Sequence, residues 1–287
     1  MNPLLQRLLP RRAVTELAGR TAAARGGVLT TWAIRRFIAR YGVNMAEAAE
    51  PNPAAYPTFN DFFIRALRPG ARPLCSEETA LWACPVDGSV SQFGRIEGET
   101  GEAILQAKGH TYSTVELLGD NAALAEPFRR GHFATLYLSP KDYHRIHMPV
   151  AGTLARMLHV SGALYSVNPA TAATRPRLFA RNERVVCLFE TRLGPLALVL
   201  VGATIVGSMQ TVWHGVVNPP RPGGIREWQY PPGQVELARG AEMGRFLLGS
   251  TVILLWPAQP GGRMLRFNPE WRPGHIIRVG EPMATLD

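Results

Sequence analysis

The chain has 287 residues, of which 46% are hydrophobic and 18% charged, so it can bury a core as one large domain or as a main domain with an appendage. Its formal charge of +9 suits anionic lipid, nucleic acid or acidic metabolites and does not choose among them. The three cysteines, Cys75, Cys84 and Cys187, show no C-x-x-C spacing, which argues against a disulfide framework or a zinc ribbon and favours a reducing compartment.

The first 70 residues read as helical. Leu4, Leu5, Leu8 and Leu9 form one apolar face, and a second is formed by Ile34, Phe37, Ile38 and Tyr41. Thr30 or Thr31 is the expected cap of the second helix. Residues 1–40 hold eight arginines and one acidic residue, Glu16. A basic amphipathic helix favours a membrane interface, and the alternative is a helix packed on its own domain or on a second subunit.

From Ala71 onward, Gly and Pro recur between short β-branched runs, which predicts a β barrel or sandwich. We therefore expect an α+β protein with a helical, membrane-associating region over residues 1–70 and a β-rich catalytic domain over residues 71–287. The segments "PVDGSV" and "RPGHIIRVGEPMATL" look like parts of a carrier-type barrel-sandwich, but no lysine stands between the appropriate flanks, which excludes a carrier role.

Three clusters are candidates for chemistry: Asp87 in "CPVDGSV", His144 and His147 in "LSPKDYHRIHMP", and the Gly249-Ser250 pair in "GRFLLGSTVILLWP". Each has a structural alternative, namely a turn at Asp-Gly, structural histidines and a β-bulge. Since Tyr143 and Pro149 favour an extended segment, the two histidines point to different faces and fit two roles better than one metal site.

The three clusters can be interpreted together as one site with a nucleophilic serine. A serine hydroxyl needs a base to take its proton and a carboxylate to hold that base, and Asp87, one histidine and Ser250 supply those groups. No G-x-S-x-G elbow surrounds Ser250, so a conventional hydrolase fits poorly. Because Gly249 has no Cβ, the hydroxyl can approach the chain's own Gly249 carbonyl.

Six segments together resemble the bacterial phosphatidylserine decarboxylase proenzyme family. They are "FNDFFIRALRPGARPL", "ACPVDGSV", "AKGHTYS", "YLSPKDYHRIHMP", "VGATIVGS" and "EMGRFLLGSTVILL". The resemblance runs from about residue 58 to the C-terminus and includes the family's L-G-S-T processing site, which stands here as Leu248 to Thr251.

This resemblance implies autocatalytic cleavage between Gly249 and Ser250, which turns Ser250 into a covalent pyruvoyl group. The cofactor would be that group, with no PLP and no metal. The enzyme would decarboxylate phosphatidylserine to phosphatidylethanolamine and CO2, with the pyruvoyl ketone as electron sink. Only two lysines, Lys108 and Lys141, are present, which is consistent with a built-in carbonyl.

The resemblance also implies roles for individual residues. His147 with Asp87 would activate Ser250 for self-cleavage, and His144 would serve decarboxylation as proton donor or as partner of the substrate carboxylate. Residues of "GALYSVNP" would line the substrate pocket: Tyr165, Ser166 and Asn168. The remaining histidines are expected at the surface or as satisfied core residues: His110, His132, His159, His214 and His275.

A diacyl lipid leaves the bilayer reluctantly, since each buried CH2 contributes about 0.8 kcal/mol. We therefore expect a peripheral protein at the cytoplasmic face of the cell membrane, bound to anionic lipid, as a homodimer and without a nucleic-acid partner. Two other functions stay open: a serine hydrolase acting on lipids with Ser250 as nucleophile, and a non-enzymatic membrane-binding module. Neither predicts a chain break before Ser250.

Overall fold

The computed structural model describes residues 19–204, 208–219, 223–247, 250–259, 261 and 263–287, and it describes Ser250 by its backbone. The predicted apolar face of Leu4, Leu5, Leu8 and Leu9 lies outside these residues, and so does Gly249.

The N-terminal part contains one long helix. Helix α1 spans Val28–Tyr41 and ends at Gly42, whose φ of 69° places it in the left-handed region that glycine tolerates. Its N-cap is Gly27, so the expectation of a cap at Thr30 or Thr31 was wrong. Both threonines lie inside the helix, and the Thr30 hydroxyl accepts a hydrogen bond from the Gly26 amide. Among the described helices, none is long and apolar enough to cross a membrane.

Residues 19–23 are also helical, and the other helices with both ends inside the described residues are short. They are α2 (Phe59–Phe63), α3 (Thr114–Leu117), α4 (Ala122–Ala125), α5 (Pro169–Ala172) and α6 (Leu178–Arg181), with 3-10 turns at Met45–Glu47, Pro53–Ala55 and Glu126–Phe128. Helix α2 begins with a capping box: the Thr58 hydroxyl accepts from the Asp61 amide, and the Asp61 carboxylate accepts from the Thr58 amide.

The strands of the described chain are β1 (Trp82–Ala83), β2 (Gly88–Arg95), β3 (Ala103–Ala107), β4 (His110–Ser113), β5 (His132–Leu138), β6 (Arg145–His147), β7 (Gly152–Val160), β8 (Arg184–Thr191), β9 (Gly194–Val201), β10 (Met209–Thr211), β11 (Gly215–Val216), β12 (Ile225–Gln229), β13 (Glu236–Leu237), β14 (Glu242–Phe246), β15 (Ser250–Trp256), β16 (Leu265–Phe267), β17 (Ile276–Ile277) and β18 (Pro282–Leu286).

These strands form four antiparallel sheets. The largest has the order β12-β7-β8-β9-β15-β5-β2-β17, with β13 also paired to β7. A second sheet has the order β11-β10-β14-β6, a third β1-β18-β16, and β3 pairs with β4. The predicted mixed, β-rich class with N-terminal helices is confirmed, and the described strands close no barrel.

The large sheet is buried on both faces. Along β15, Val252, Leu254 and Trp256 join one hydrophobic cluster, while Ile253 and Leu255 join the other. This alternation follows from the two-residue period of a strand and explains why β15 reads as a continuous apolar run. A third, smaller cluster contains Ile34, Val43 and Phe62 and belongs to the N-terminal helices.

The apolar stretch around Gly249-Ser250 is two strands and not one. Strand β14 ends at Phe246 in the four-stranded sheet, and β15 starts at Ser250 in the large sheet. Ser250 therefore begins a strand that belongs to a different sheet from β14.

Candidate active site

The strand register places residues from eight strands side by side at one end of the large sheet. A row of directly paired residues crosses the sheet there: Ile225, Val160, Arg184, Val201, Thr251, Tyr137, Ser89 and Ile276. Asp87 and Ser250 each lie at or just before the start of a strand at this end, and the histidine segment follows β5 there. Thr251 and Ser89 both pair with Tyr137, so their backbones are roughly 10 Å apart.

The Ser250 backbone is fixed by β5, because Ser250 pairs with Leu138. The following residues of β15 pair with β5 on one side and β9 on the other, so the serine begins a central, fully hydrogen-bonded strand. A strand in that position gives the residue at its start a defined place.

Asp87 is buried and held by Arg72. Its carboxylate accepts from Arg72 Nε at 2.9 and 3.1 Å and from Nη2 at 2.5 Å, and the Val279 amide donates to Oδ1 at 2.9 Å. Arg72 Nη2 also donates to Glu47 at 2.7 Å. Burial opposes the charged form of Arg72, but the hydrogen bonds to Asp87 and Glu47 outweigh it and raise the pKa of the guanidinium.

His147 is half-buried, and both ring nitrogens are engaged. Its Nδ1–H donates to the Gly240 carbonyl oxygen at 2.8 Å, which leaves Nε2 to accept from the Tyr143 hydroxyl at 3.1 Å. Burial is the main cause that lowers the pKa of His147, so the ring is neutral at neutral pH. The predicted Asp87 partner is near, because the His147 amide donates to Pro85, but the Asp87 oxygens are bonded to Arg72 and Val279.

His144 is fully buried and neutral. Its Nδ1–H donates to the Asp142 carbonyl oxygen at 2.8 Å, and its ring centre lies 4.0 Å from that of Phe63. Burial lowers the pKa of His144 to about 3. Its Nε2 is a buried lone pair without a hydrogen-bond partner in the described chain. The His144 carbonyl accepts from the Phe246 amide, which ties this histidine to the strand that leads to Ser250.

The predicted substrate-pocket residues lie in the loop after β7, which leaves the sheet at the same end. The Asn168 side chain caps α5 by accepting from the Thr171 amide at 2.9 Å. The Ser166 hydroxyl accepts from the Asn168 amide at 3.5 Å, and the Arg175 guanidinium lies 3.8 Å above the Tyr165 ring. Their contact with a substrate stays a prediction.

Sequence reasoning missed four polar residues at this end: Arg65, Arg72, Asp142 and Tyr143. Asp142 stands two residues before His144 and accepts from the Ser139 amide at 2.7 Å, while burial raises the pKa of its carboxyl. Asp142 and Tyr143 could have been predicted as site residues, because they belong to the same polar segment as the two histidines. The ion pairs of Arg72 could not be read from the sequence, since its carboxylate partners are 15 and 25 residues away in the chain.

The side chains gathered at this end of the sheet are of the types that acid–base chemistry uses. One end of the sheet combines two neutral histidines, the Asp87 carboxylate bonded to Arg72 and the Val279 amide, and the start of a central strand. In the part of the chain that the structure describes, no group of three or more His, Cys, Asp or Glu side chains is placed to hold a metal ion.

Comparison with known proteins identifies the family. The family model for phosphatidylserine decarboxylase matches residues 59–285, and a second model, described as PSD, matches residues 3–42. The chain therefore belongs to the phosphatidylserine decarboxylase family.

Full-length relatives agree with this assignment. The chain is 61% identical to the phosphatidylserine decarboxylase proenzyme of Delftia acidovorans, over 98% of this chain and 96% of the relative. It is 63% identical to the proenzyme of Verminephrobacter eiseniae over 98% and 96%. The identity to the proenzyme of an Azoarcus species is 62% over 99% and 95%.

Proposed function

We propose that this chain decarboxylates phosphatidylserine to phosphatidylethanolamine and CO2, after cleaving itself between Gly249 and Ser250. The observation that carries the proposal is the register of the large sheet. It brings the start of β15, Asp87 and the segment of His144 and His147 to one end of the sheet. The family supplies the substrate, since the relatives are named phosphatidylserine decarboxylase proenzymes.

In the first step the Ser250 hydroxyl oxygen attacks the Gly249 carbonyl carbon, and the proton goes to a base. The Gly249–Ser250 amide bond breaks and an ester forms. Loss of the Ser250 Cα proton then breaks the Cβ–O bond and leaves a Gly249 carboxylate and dehydroalanine. Water replaces the dehydroalanine nitrogen, ammonia leaves, and residue 250 becomes a pyruvoyl group. Neutral His147 suits the base, because a base must be unprotonated before it acts.

A pyruvoyl group supplies a ketone that accepts the substrate amine and withdraws electrons as CO2 leaves. The residues at this end of the sheet fit such a group. The buried His144 Nε2 has no partner in the described chain and can take up a proton there. A neutral His144 offers only the Nε2 lone pair, and burial disfavours the protonated ring through which either accepting a proton or later donating it would pass.

The same proposal makes the protein a peripheral one, bound to anionic lipid at the cytoplasmic face of the cell membrane and acting as a homodimer of processed chains. Helix α1 supports the membrane contact, since it exposes Val28, Leu29 and Trp32 by 85, 75 and 63%. Arginines accompany this apolar edge, among them Arg35, Arg36 and Arg40.

The test is the intact mass of freshly purified protein under denaturing conditions, compared with Ser250→Ala. We expect two wild-type chains, residues 1–249 and 250–287, the second lighter by one ammonia than a chain that starts with serine. Ser250→Ala should give one full-length chain and release no CO2 from phosphatidylserine. A wild-type chain that stays whole while it hydrolyses lipid would replace this proposal with the serine hydrolase.

A further inference from the structure

Arg65 is a buried arginine without a carboxylate partner in the described chain, and its guanidinium lies 5.4 Å from the centre of the Phe62 ring. It follows α2 and is 4% exposed. Its Nη2 donates to the carbonyl oxygens of Lys141 at 3.0 Å and Asp142 at 3.5 Å. Its Nε and Nη1 have no hydrogen-bond partner within the described residues, and none of the ion pairs described there includes Arg65.

This state is costly, because removing a charged group from water without a counter-charge carries a penalty of several kcal/mol. Burial accordingly lowers the pKa of Arg65, although a guanidinium remains charged at neutral pH. Arg72 shows the contrast, since it lies nearby with both Asp87 and Glu47 bound to it. A buried guanidinium without a carboxylate would be stabilised by an anion that comes from outside the chain.

Arg65 lines a cleft of about 190 Å³ between the N-terminal region and the end of the large sheet. The charged residues of the cleft are Arg65, Arg72, Lys141, Arg278, Glu47, Asp87 and Asp142. Glu47 and Asp87 are paired with Arg72, and Arg278 lies 3.5 Å from Glu47, so both carboxylates already have arginine partners. Asp142 is the remaining carboxylate of the cleft, and burial raises the pKa of its carboxyl. The cleft is smaller than the roughly 300–1,000 Å³ of drug-sized ligand sites, so it suits a lipid headgroup without acyl chains.

The proposed substrate carries two anions, a carboxylate and a phosphodiester. The carboxylate loses its charge as CO2 forms, so a guanidinium bound to it would stabilise the ground state more than the transition state and slow the reaction. The phosphodiester keeps its charge from substrate to product. A cation can therefore hold it throughout turnover without opposing the chemistry.

We propose that Arg65 binds the phosphodiester of the phospholipid headgroup in this cleft. The inference rests on the proposed function and names a binding residue that the sequence did not reveal. Both nitrogens are shielded from water, so phosphate binding would require the side chains that line the cleft to move. Lys141, which is exposed, supplies a second positive charge at the cleft.

The test compares Arg65→Gln with Arg68→Gln, an exposed arginine three residues further on, using full-length enzyme and rates normalised to the processed fraction. Arg65→Gln should raise KM for phosphatidylserine in mixed micelles about ten- to hundred-fold, with kcat changed less than about three-fold. The inhibition constant of the product phosphatidylethanolamine should rise by the same factor. Arg68→Gln should leave all three values near wild type.

Other outcomes overturn the proposal in distinguishable ways. A raised KM with unchanged product inhibition assigns Arg65 to the carboxylate, and a loss confined to kcat makes it a positioning residue for His144. If KM, kcat and the inhibition constant are all unchanged, Arg65 does not bind the substrate. A wild-type enzyme that releases no CO2 contradicts the proposed function itself.

A second measurement needs no variant and covers the case in which Arg65→Gln does not fold. Glycerophosphoethanolamine should compete with the substrate on wild-type enzyme, whereas ethanolamine at the same concentration should compete at least ten-fold more weakly. Inorganic phosphate tests whether the phosphate alone is sufficient, and we expect it to compete more weakly than the diester. Equal competition by ethanolamine and glycerophosphoethanolamine would show that the phosphate contributes nothing.

Discussion

At the scale of single residues, the site depends on which nitrogen of each histidine carries the proton. A backbone carbonyl accepts from Nδ1 in both His144 and His147, so both rings present Nε2 as a lone pair. They differ in what meets that lone pair. The Tyr143 hydroxyl donates to Nε2 of His147, whereas Nε2 of His144 has no partner in the described chain.

The lowered pKa of His147 gives a prediction of how self-cleavage depends on pH. If His147 is the base, it acts only when neutral, so the rate falls as pH drops through its pKa. Because burial lowers that pKa below the ordinary value of 6.5, the midpoint of the acid limb should lie below pH 6.5. The measurement is cell-free synthesis, transfer to buffers from pH 5 to 8, and timed quenching for denaturing gels.

Tyr143→Phe is the matched variant for this profile. Its hydroxyl stabilises the neutral ring by donating to Nε2, so its loss should raise the pKa of His147 and move the acid limb to higher pH by less than about one unit. Processing should persist. A wild-type midpoint above 6.5 would argue against His147 as the base, and a ten-fold loss in Tyr143→Phe would make the tyrosine part of the proton path.

At the scale of elements, the close approach of β2 to β5 fixes the place of Asp87. A Cβ on Gly88 would stand 2.2 Å from the Tyr137 carbonyl oxygen, so only glycine permits this pairing. Gly94, on the same strand, has a similar backbone conformation, with φ of 146° against 157°, and open space around its Cβ position.

Gly88→Ala and Gly94→Ala therefore differ mainly in the steric clash. In a Ser250→Ala background, which keeps the chain whole, Gly88→Ala should reduce the free energy of unfolding by about 1–3 kcal/mol more than Gly94→Ala. With Ser250 present, Gly88→Ala should also slow self-cleavage at least ten-fold, since Asp87 shifts with β2. Urea titration and denaturing gels give the two values, and equal effects of the two substitutions would refute the argument.

The elements also show what the sequence can predict. Alternating and apolar runs were sufficient to predict a β-rich class, because the two-residue period of a strand can be read from neighbouring residues. The polar segments located Asp87, His144, His147 and Ser250 as candidates. The ion pair of Asp87 with Arg72 was not predictable, because it depends on how the segment before β1 folds back over the sheet. The same holds for Arg65, whose only polar contacts lie 76 and 77 residues further along the chain.

The passage between β14 and β15 is a second case. The apolar residues around Gly249-Ser250 read as one interrupted strand, whereas β14 ends at Phe246 in one sheet and β15 starts at Ser250 in another. Local periodicity carries no information about which sheet a strand joins, so the apolar residues on both sides looked continuous. A break between Gly249 and Ser250 would leave β14 in one new chain and β15 in the other, and both strands are already paired with neighbours.

At the scale of the whole molecule, helix α1 leaves apolar side chains exposed in a segment that is rich in arginine. Helix α1 exposes Leu29 and Trp32 while Ile34 on its other side is buried in the small N-terminal cluster. The α2 end of that region reaches the site directly, because the Phe63 ring contacts His144 and the Ile64 carbonyl accepts from Arg145 at 2.8 Å. A membrane bound by α1 would thus lie on the part of the molecule that adjoins the cleft.

We therefore expect the double variant Leu29→Ala, Trp32→Ala to bind anionic vesicles at least ten-fold more weakly than wild type, since each apolar side chain contributes about 1.5–3 kcal/mol when fully buried. Leu105→Ala, which removes a 40%-exposed leucine from β3, is the control and should bind as wild type does. Vesicle sedimentation at two salt concentrations measures this, and wild-type binding should weaken with salt because arginines share the surface. Turnover of substrate dissolved in detergent should stay unchanged, because the variant alters only how the enzyme reaches the membrane. Equal vesicle binding by the double variant and wild type would show that α1 does not contact the membrane.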